Sequence, residues 1–169
     1  MKKALSLLVA LMVLCSVSAL AETTAPVIDT TGWATVEMAD IGLSFLRPTD
    51  LEPVELTDED YNNGIAYAAK NDALSLVVYL WELDDATTLD AVETELAADE
   101  AYQCQRVLIG EVDALAFETT KDDQLVDGVI LMGSDGYAYQ FMFMVTDEAS
   151  QTLASTIMNT LTPMETTAQ

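Results

Sequence analysis

The chain has 169 residues, 29 acidic and 6 basic, for a formal net charge of −23, and it contains no histidine. A surface this negative repels phosphate backbones and anionic lipid, which argues against nucleic acid and membrane surfaces as partners. Without histidine, Ser-His-Asp and Cys-His machinery and the common His-containing zinc sites fall away as well.

Lys2 and Lys3 precede an apolar run over residues 4–15, and Ala19-Leu20-Ala21 supplies a small-x-small exit. That order is the chemistry of a secretory signal peptide, here residues 1–21. The run is shorter than the roughly 20 apolar residues that span a bilayer. A secreted or extracytoplasmic location is expected, with no stable membrane insertion after cleavage. Cys15 offers the alternative of a lipid anchor, although Leu14 stands where a lipobox wants a small residue. Losing Lys2 and Lys3 takes the formal charge from −23 to −25 and leaves Cys104 as the one cysteine. No intrachain disulfide can then form, and Cys104 is expected to pack as a small hydrophobe, with pairing between chains as the alternative.

Residues 22–31 read as a polar tether. Residues 33–38 and 41–46 are β-prone runs around Ala39-Asp40, closed by Arg47-Pro48 because proline cannot donate to a ladder. Residues 49–63 read as a polar, acidic loop. Two further runs, 64–70 and 73–81, flank the turn residues Asn71-Asp72. In the second run Leu76, Val78 and Leu80 face one way and Val77, Tyr79 and Trp81 the other, which predicts a central strand covered on both sides.

Thr87 or Thr88 caps a predicted helix over 89–98, whose Leu89, Val92 and Leu96 share a face. Strands are predicted over 106–109 and 114–119, then over 125–132 and 137–145, the last two joined through Asp135-Gly136. The final strand puts Tyr137, Tyr139, Phe141, Phe143 and Val145 on one face and Ala138, Gln140, Met142 and Met144 on the other. With both faces this apolar, the aromatic stripe reads as core rather than as a ligand platform. A second helix follows over 148–161, capped by Thr146 or Asp147, with Leu153, Ile157 and Leu161 as its buried stripe and Met158 widening it. Residues 162–169 read as a flexible tail.

Short links between neighbouring strands favour antiparallel pairing, and two helices among many strands indicate an α+β domain. The expected architecture is a mainly antiparallel sheet of about six to eight strands, with a mid-chain helix and a C-terminal amphipathic helix packed on it. It forms one domain over residues 32–161, at a length that can bury about 70% of its unfolded surface.

The strand that ends at a proline, Ile41-Gly42-Leu43-Ser44-Phe45-Leu46-Arg47-Pro48, the later turn Val107-Leu108-Ile109-Gly110-Glu111-Val112-Asp113-Ala114, and the closing amphipathic helix together resemble the Mog/PsbP-like fold. Where members carry a tryptophan soon after that proline, this chain has Asp50-Leu51. The resemblance implies a non-enzymatic binding or assembly module over about residues 32–161 and transfers no functional residue.

No GxSxG, P-loop or Rossmann glycine pattern occurs. No catalytic or cofactor-binding residue is assigned. Calcium is the one cofactor the chemistry suggests. Asp58-Glu59-Asp60-Tyr61-Asn62-Asn63-Gly64 opens like an oxygen-ligand loop, making Asp58, Asp60 and Asn62 candidate ligands. The loop departs from an EF-hand at its sixth position, Asn63, and its twelfth, Ala69. Asp84-Asp85 and Asp122-Asp123 are further oxygen-rich turns. The expected function is a secreted, acidic, non-enzymatic binding or assembly module for a protein or other extracellular ligand, acting through exposed loops such as 49–63 and 83–88. The alternatives are a small carbohydrate-acting hydrolase using a carboxylate pair, with Trp33 and Trp81 as its large stacking surfaces, and a weakly calcium-associated extracellular module.

Overall fold

The computed structural model describes residues 28–39, 42–84, 87–109, 112–133 and 136–163. The expected signal peptide, most of the expected tether and residues 164–169 lie outside the described residues. In chain order the described elements are β1 (Ala34–Met38), β2 (Leu43–Arg47), β3 (Glu52–Pro53), α1 (Asp58–Asn62), β4 (Ile65–Lys70), β5 (Leu74–Glu82), α2 (Leu89–Ala97), β6 (Gln103–Ile109), β7 (Val112–Lys121), β8 (Gln124–Met132), β9 (Tyr137–Val145), α3 (Glu148–Asn159) and β10 (Thr162–Pro163).

The two most apolar runs of the sequence lie side by side at the centre. β5 and β9 pair antiparallel over their full lengths, from Leu74 opposite Val145 to Glu82 opposite Tyr137. Around them a seven-stranded antiparallel sheet runs in the order β3-β4-β5-β9-β8-β7-β6, while β1, β2 and β10 form a separate three-stranded sheet. The α+β architecture read from the sequence is present.

The alternating side chains of β5 and β9 feed one main core. Leu76, Val78, Phe141 and Phe143 are fully buried, with Phe45 of the small sheet and Ile157 of α3 closing over them. Phe45 meets both Tyr67 and Phe141 edge-on, with ring centroids 5.6 and 5.8 Å apart, a favoured aromatic geometry. On the opposite face α2 contributes Leu89 and Val92 to a smaller cluster with Leu115, Phe117, Ile130 and Ala138.

Local capping chemistry sets the helices. Thr88 caps α2 by accepting from the Ala91 N–H, and Asp147 caps α3 by accepting from the Ser150 N–H at 2.8 Å. The buried Ser150 hydroxyl accepts from Thr146 and Asp147 backbone N–H groups, completing a capping box. At the other end of α3, Thr160 Oγ1 accepts the Leu46 N–H at 2.8 Å, which docks the helix on β2.

Several boundaries depart from the sequence reading. Residues 49–63 are not one exposed loop: Arg47 donates to the Pro48 and Leu51 carbonyls, Leu51 is fully buried, and β3 and α1 follow. β6 starts at Gln103, and β7 and β8 also form a hairpin, so β6 to β9 are one meander. The β7–β8 turn, Asp122-Asp123, has positive φ at both residues (52° and 63°), the conformation of a two-residue type I′ hairpin usually given to Asn-Gly. Thr162 and Pro163, assigned to the tail, pair with β2. The buried stripe of α3 is Ser150, Ala154, Ile157 and Met158, while Leu153 and Leu161 are half-buried. The central strands are not equally covered on both faces, since Val77, Tyr79, Met142 and Met144 stay half-buried.

Candidate functional site

The face of the large sheet that carries the main core is covered unevenly. α3 lies over β9, and the sheet continues beyond it through β8 and β7 to the edge strand β6. Along two rows of that stretch the side chains become more polar toward β6. One cross-strand row runs Val78, Phe141, Val129, Ala116, Gln105, and the adjacent row runs Leu76, Phe143, Asp127, Glu118, Gln103. The result is a groove of about 600 Å³ between α3 and β6. Its floor is Val107, Ile109, Ala116 and Val129, and Gln151, Ser155, Met158 and Asn159 of α3 form one wall.

Two carboxylates sit in this groove with one amide between them. Gln151 Nε2 donates to Glu118 Oε1 and to Asp127 Oδ1, each at 3.4 Å, which is long for such a bond. Glu118 and Asp127 are directly opposite each other on β7 and β8, a spacing at which like charges repel. Burial pushes the Asp127 carboxyl up; the Gln151 bond opposes this and the neighbouring Glu118 charge adds to it. Among the described residues no lysine or arginine lines the groove. On the other face of β6, Arg106 donates to Glu93 Oε2 at 2.8 Å and bonds Asp90, and the Glu93 contact is the main reason its own pKa is raised.

The residues singled out in the sequence lie elsewhere. Asp58, Asp60 and Asn62 fall within the five-residue α1, where positions two apart point to different sides. The Asp60 carboxylate turns back to accept from the Thr57 N–H (2.8 Å) and hydroxyl (2.7 Å), contacts that hold its pKa down, the backbone bond most. Among the described residues no group of three or more Cys, Asp or Glu is placed to hold a metal ion. In the 83–88 loop Asp84 accepts from the Thr87 hydroxyl at 2.6 Å, while Asp85 lies outside the described residues. Trp33 packs against the main core and Trp81 against the smaller cluster, so they form no shared platform. Cys104 is half-buried beside that smaller cluster, its thiol pushed up by burial and then by Glu93.

Glu118, Asp127 and Gln151 went unremarked in the sequence. The available signal was Asp127 itself, an acid interrupting an otherwise apolar strand on the same alternating face as Val129 and Leu131.

The fold and groove define an α+β domain with one open face. No family model matches the chain, and no curated protein matches it. Among solved structures, a protein of Bacteroides thetaiotaomicron superposes with a TM-score of 0.50 at 17% identity, over 73% of this chain and 46% of its own. LpqN, involved in cell envelope biogenesis of Mycobacterium tuberculosis, gives a TM-score of 0.43 at 16% identity, over 77% of this chain and 90% of its own. The first likeness is one of fold alone, and this chain spans less than half the length of that protein.

Proposed function

We propose that the chain is an exported, acidic, non-enzymatic binding module, and that the groove between α3 and β6 takes its ligand. One observation carries the reading: the same sheet face is sealed over β5 and β9 but open along the rows Val129–Ala116–Gln105 and Asp127–Glu118–Gln103 of β8, β7 and β6, beside the buried Leu131, Ala114 and Ile109, with an apolar floor and a polar rim. Concave sites with a few converging polar groups are where ligands bind. The leader supports export, and among the described residues no helix is long and apolar enough to cross a membrane. The non-enzymatic part rests on the missing nucleophile, base and orienting group. It accords with the binding and assembly roles implied by the Mog/PsbP-like resemblance. The test is amide-resolved NMR of the 22–169 protein titrated with short peptides and oligosaccharides. Shifts confined to Ala116, Val129 and Gln151, lost when Ala116→Phe fills the floor, support the reading. Shifts clustered on α1 or the 83–88 loop overturn it.

The Asp127–Glu118 pair favours a second reading, a carboxylate-pair hydrolase. A shared 3.4 Å contact to Gln151 Nε2 keeps the two oxygens within reach of a retaining-type separation of about 5 Å. Of the aromatic residues at the groove, Phe143 is buried and Phe117 turns its ring into the smaller cluster on the opposite face, so neither offers a stacking surface for a sugar. Oligosaccharide turnover by the purified protein, abolished by Asp127→Asn, would establish this reading over the first.

A further inference from the structure

The two edges of the large sheet differ in a way that bears on what the groove admits. β3 is an edge of two residues containing Pro53, a protected ending. β6 is an edge of seven residues in unbroken register with β7, from Gln103 opposite Glu118 to Ile109 opposite Val112. It contains no proline, lysine or bulge, Arg106 is held by α2, and Leu108 is 68% exposed. Such an edge presents a row of backbone donors and acceptors to an incoming strand.

Resting on the groove as the binding site, we infer that its ligand is an extended, basic peptide segment that adds as a strand to β6. One lysine or arginine of that segment reaches over Gln103 to Glu118. The new strand would lie two interstrand spacings, about 9–10 Å, from β7, a gap that an extended basic side chain and the Glu118 side chain bridge together. Charge selects the occupant. Among the described residues the groove holds two carboxylates served by one amide and no cation, so a basic side chain supplies the missing counter-charge. A second copy of this chain, at −23, would bring like charge to the same edge.

The probe is a blocked nonapeptide alternating lysine with valine, titrated into the 22–169 protein by fluorescence anisotropy. It is compared with a glutamate-for-lysine peptide and with two lysine peptides N-methylated on alternate residues, one set for each edge. Binding by the lysine peptide, loss for the glutamate peptide, and loss for one N-methylated set but not the other are the expected results. Glu118→Gln should weaken binding about tenfold, the scale of one charge-assisted hydrogen bond, and Asp127→Asn, one strand further away, by less. Equal binding of all lysine peptides means attraction to the acid coat alone and overturns the inference. So does binding unchanged by Glu118→Gln, or sedimentation showing dimers through β6. If the peptide fails while another ligand perturbs Ala116, Val129 and Gln151, the groove reading stands and the strand-addition inference falls.

Discussion

Phe141 and Val129 are neighbours on the same face of the same sheet, directly opposite each other on β9 and β8, yet they belong to different worlds. Phe141 is fully buried under Phe45 and α3, whereas Val129 is half-buried in the groove floor. The difference comes from what the next residues along each row allow. Toward β5 the row continues with Val78, which a cover can pack against; toward β6 it continues with Ala116 and Gln105. A half-face made of small and polar side chains returns too little on burial to hold a covering element, at about 25 cal/mol for each Å² of apolar surface. The opening is therefore written in the side chains of these rows of β6 to β8, beside the buried Leu131, Ala114 and Ile109, and not only in where α3 happens to end.

The largest expected effect breaks the covered half. Phe141→Ala should cost about 3–5 kcal/mol in urea or thermal unfolding, from lost transfer energy and the cavity left beneath Phe45. A loss near 1 kcal/mol would mean that this half is not sealed. Second in size, Gly128→Ala probes the face under α2. A Cβ there would lie 2.1 Å from Cζ of the buried Phe117 ring, which itself packs on Tyr102 at 5.7 Å. The ring has nowhere to retreat, so a loss of about 1–3 kcal/mol is expected, the usual cost of overpacking. A neutral result would show that Phe117 repacks freely.

Val129→Ala sharpens the contrast with its partner. Truncating a half-buried groove residue removes little buried surface, so the cost should be about 1 kcal/mol or less. If Val129→Ala and Phe141→Ala cost the same, the two halves are equally packed and the groove is closed in solution.

Much of this fold was legible because its cues are local. Alternation in 137–145, the Asn71 turn and the caps at Thr88 and Asp147 each follow from a few adjacent residues. Asn71 Oδ1 accepts from the Ala73 N–H at 3.0 Å, the Asx turn its type favours, and also from the Leu74 N–H at 2.8 Å. What was missed is non-local or counter to propensity. Residues 49–63 look polar, yet Leu51 is fully buried and Arg47 reaches across to donate to its carbonyl. The Asp122-Asp123 turn adopts a conformation that Asn-Gly would have announced. The carboxylates of the groove were invisible as a site because Glu118, Asp127 and Gln151 meet only after β7, β8 and α3 are assembled. Asp58 and Asp60 drew notice by sitting close in sequence, which on a helix separates them.

The smallest expected effect belongs to the open half, and its sign is opposite. Burial, aided by Glu118 and opposed by Gln151, raises the Asp127 pKa in the folded protein. The folded state therefore holds this proton more tightly than the unfolded chain does. Below the unfolded value, near 3.9, the group is protonated in both states and adds no penalty. As pH rises through the raised folded value, the fold must carry a charge that the unfolded chain solvates better, and stability falls. Asp127→Asn keeps the neutral form at every pH. It should unfold at higher temperature than the parent at pH 7, and the gap should close as the pH drops toward 3. In a Glu118→Gln background the gain should shrink, because one source of the upward shift is gone. A variant less stable than the parent at pH 7 would mean that the Gln151 bond outweighs burial, and that the groove is settled without a cation.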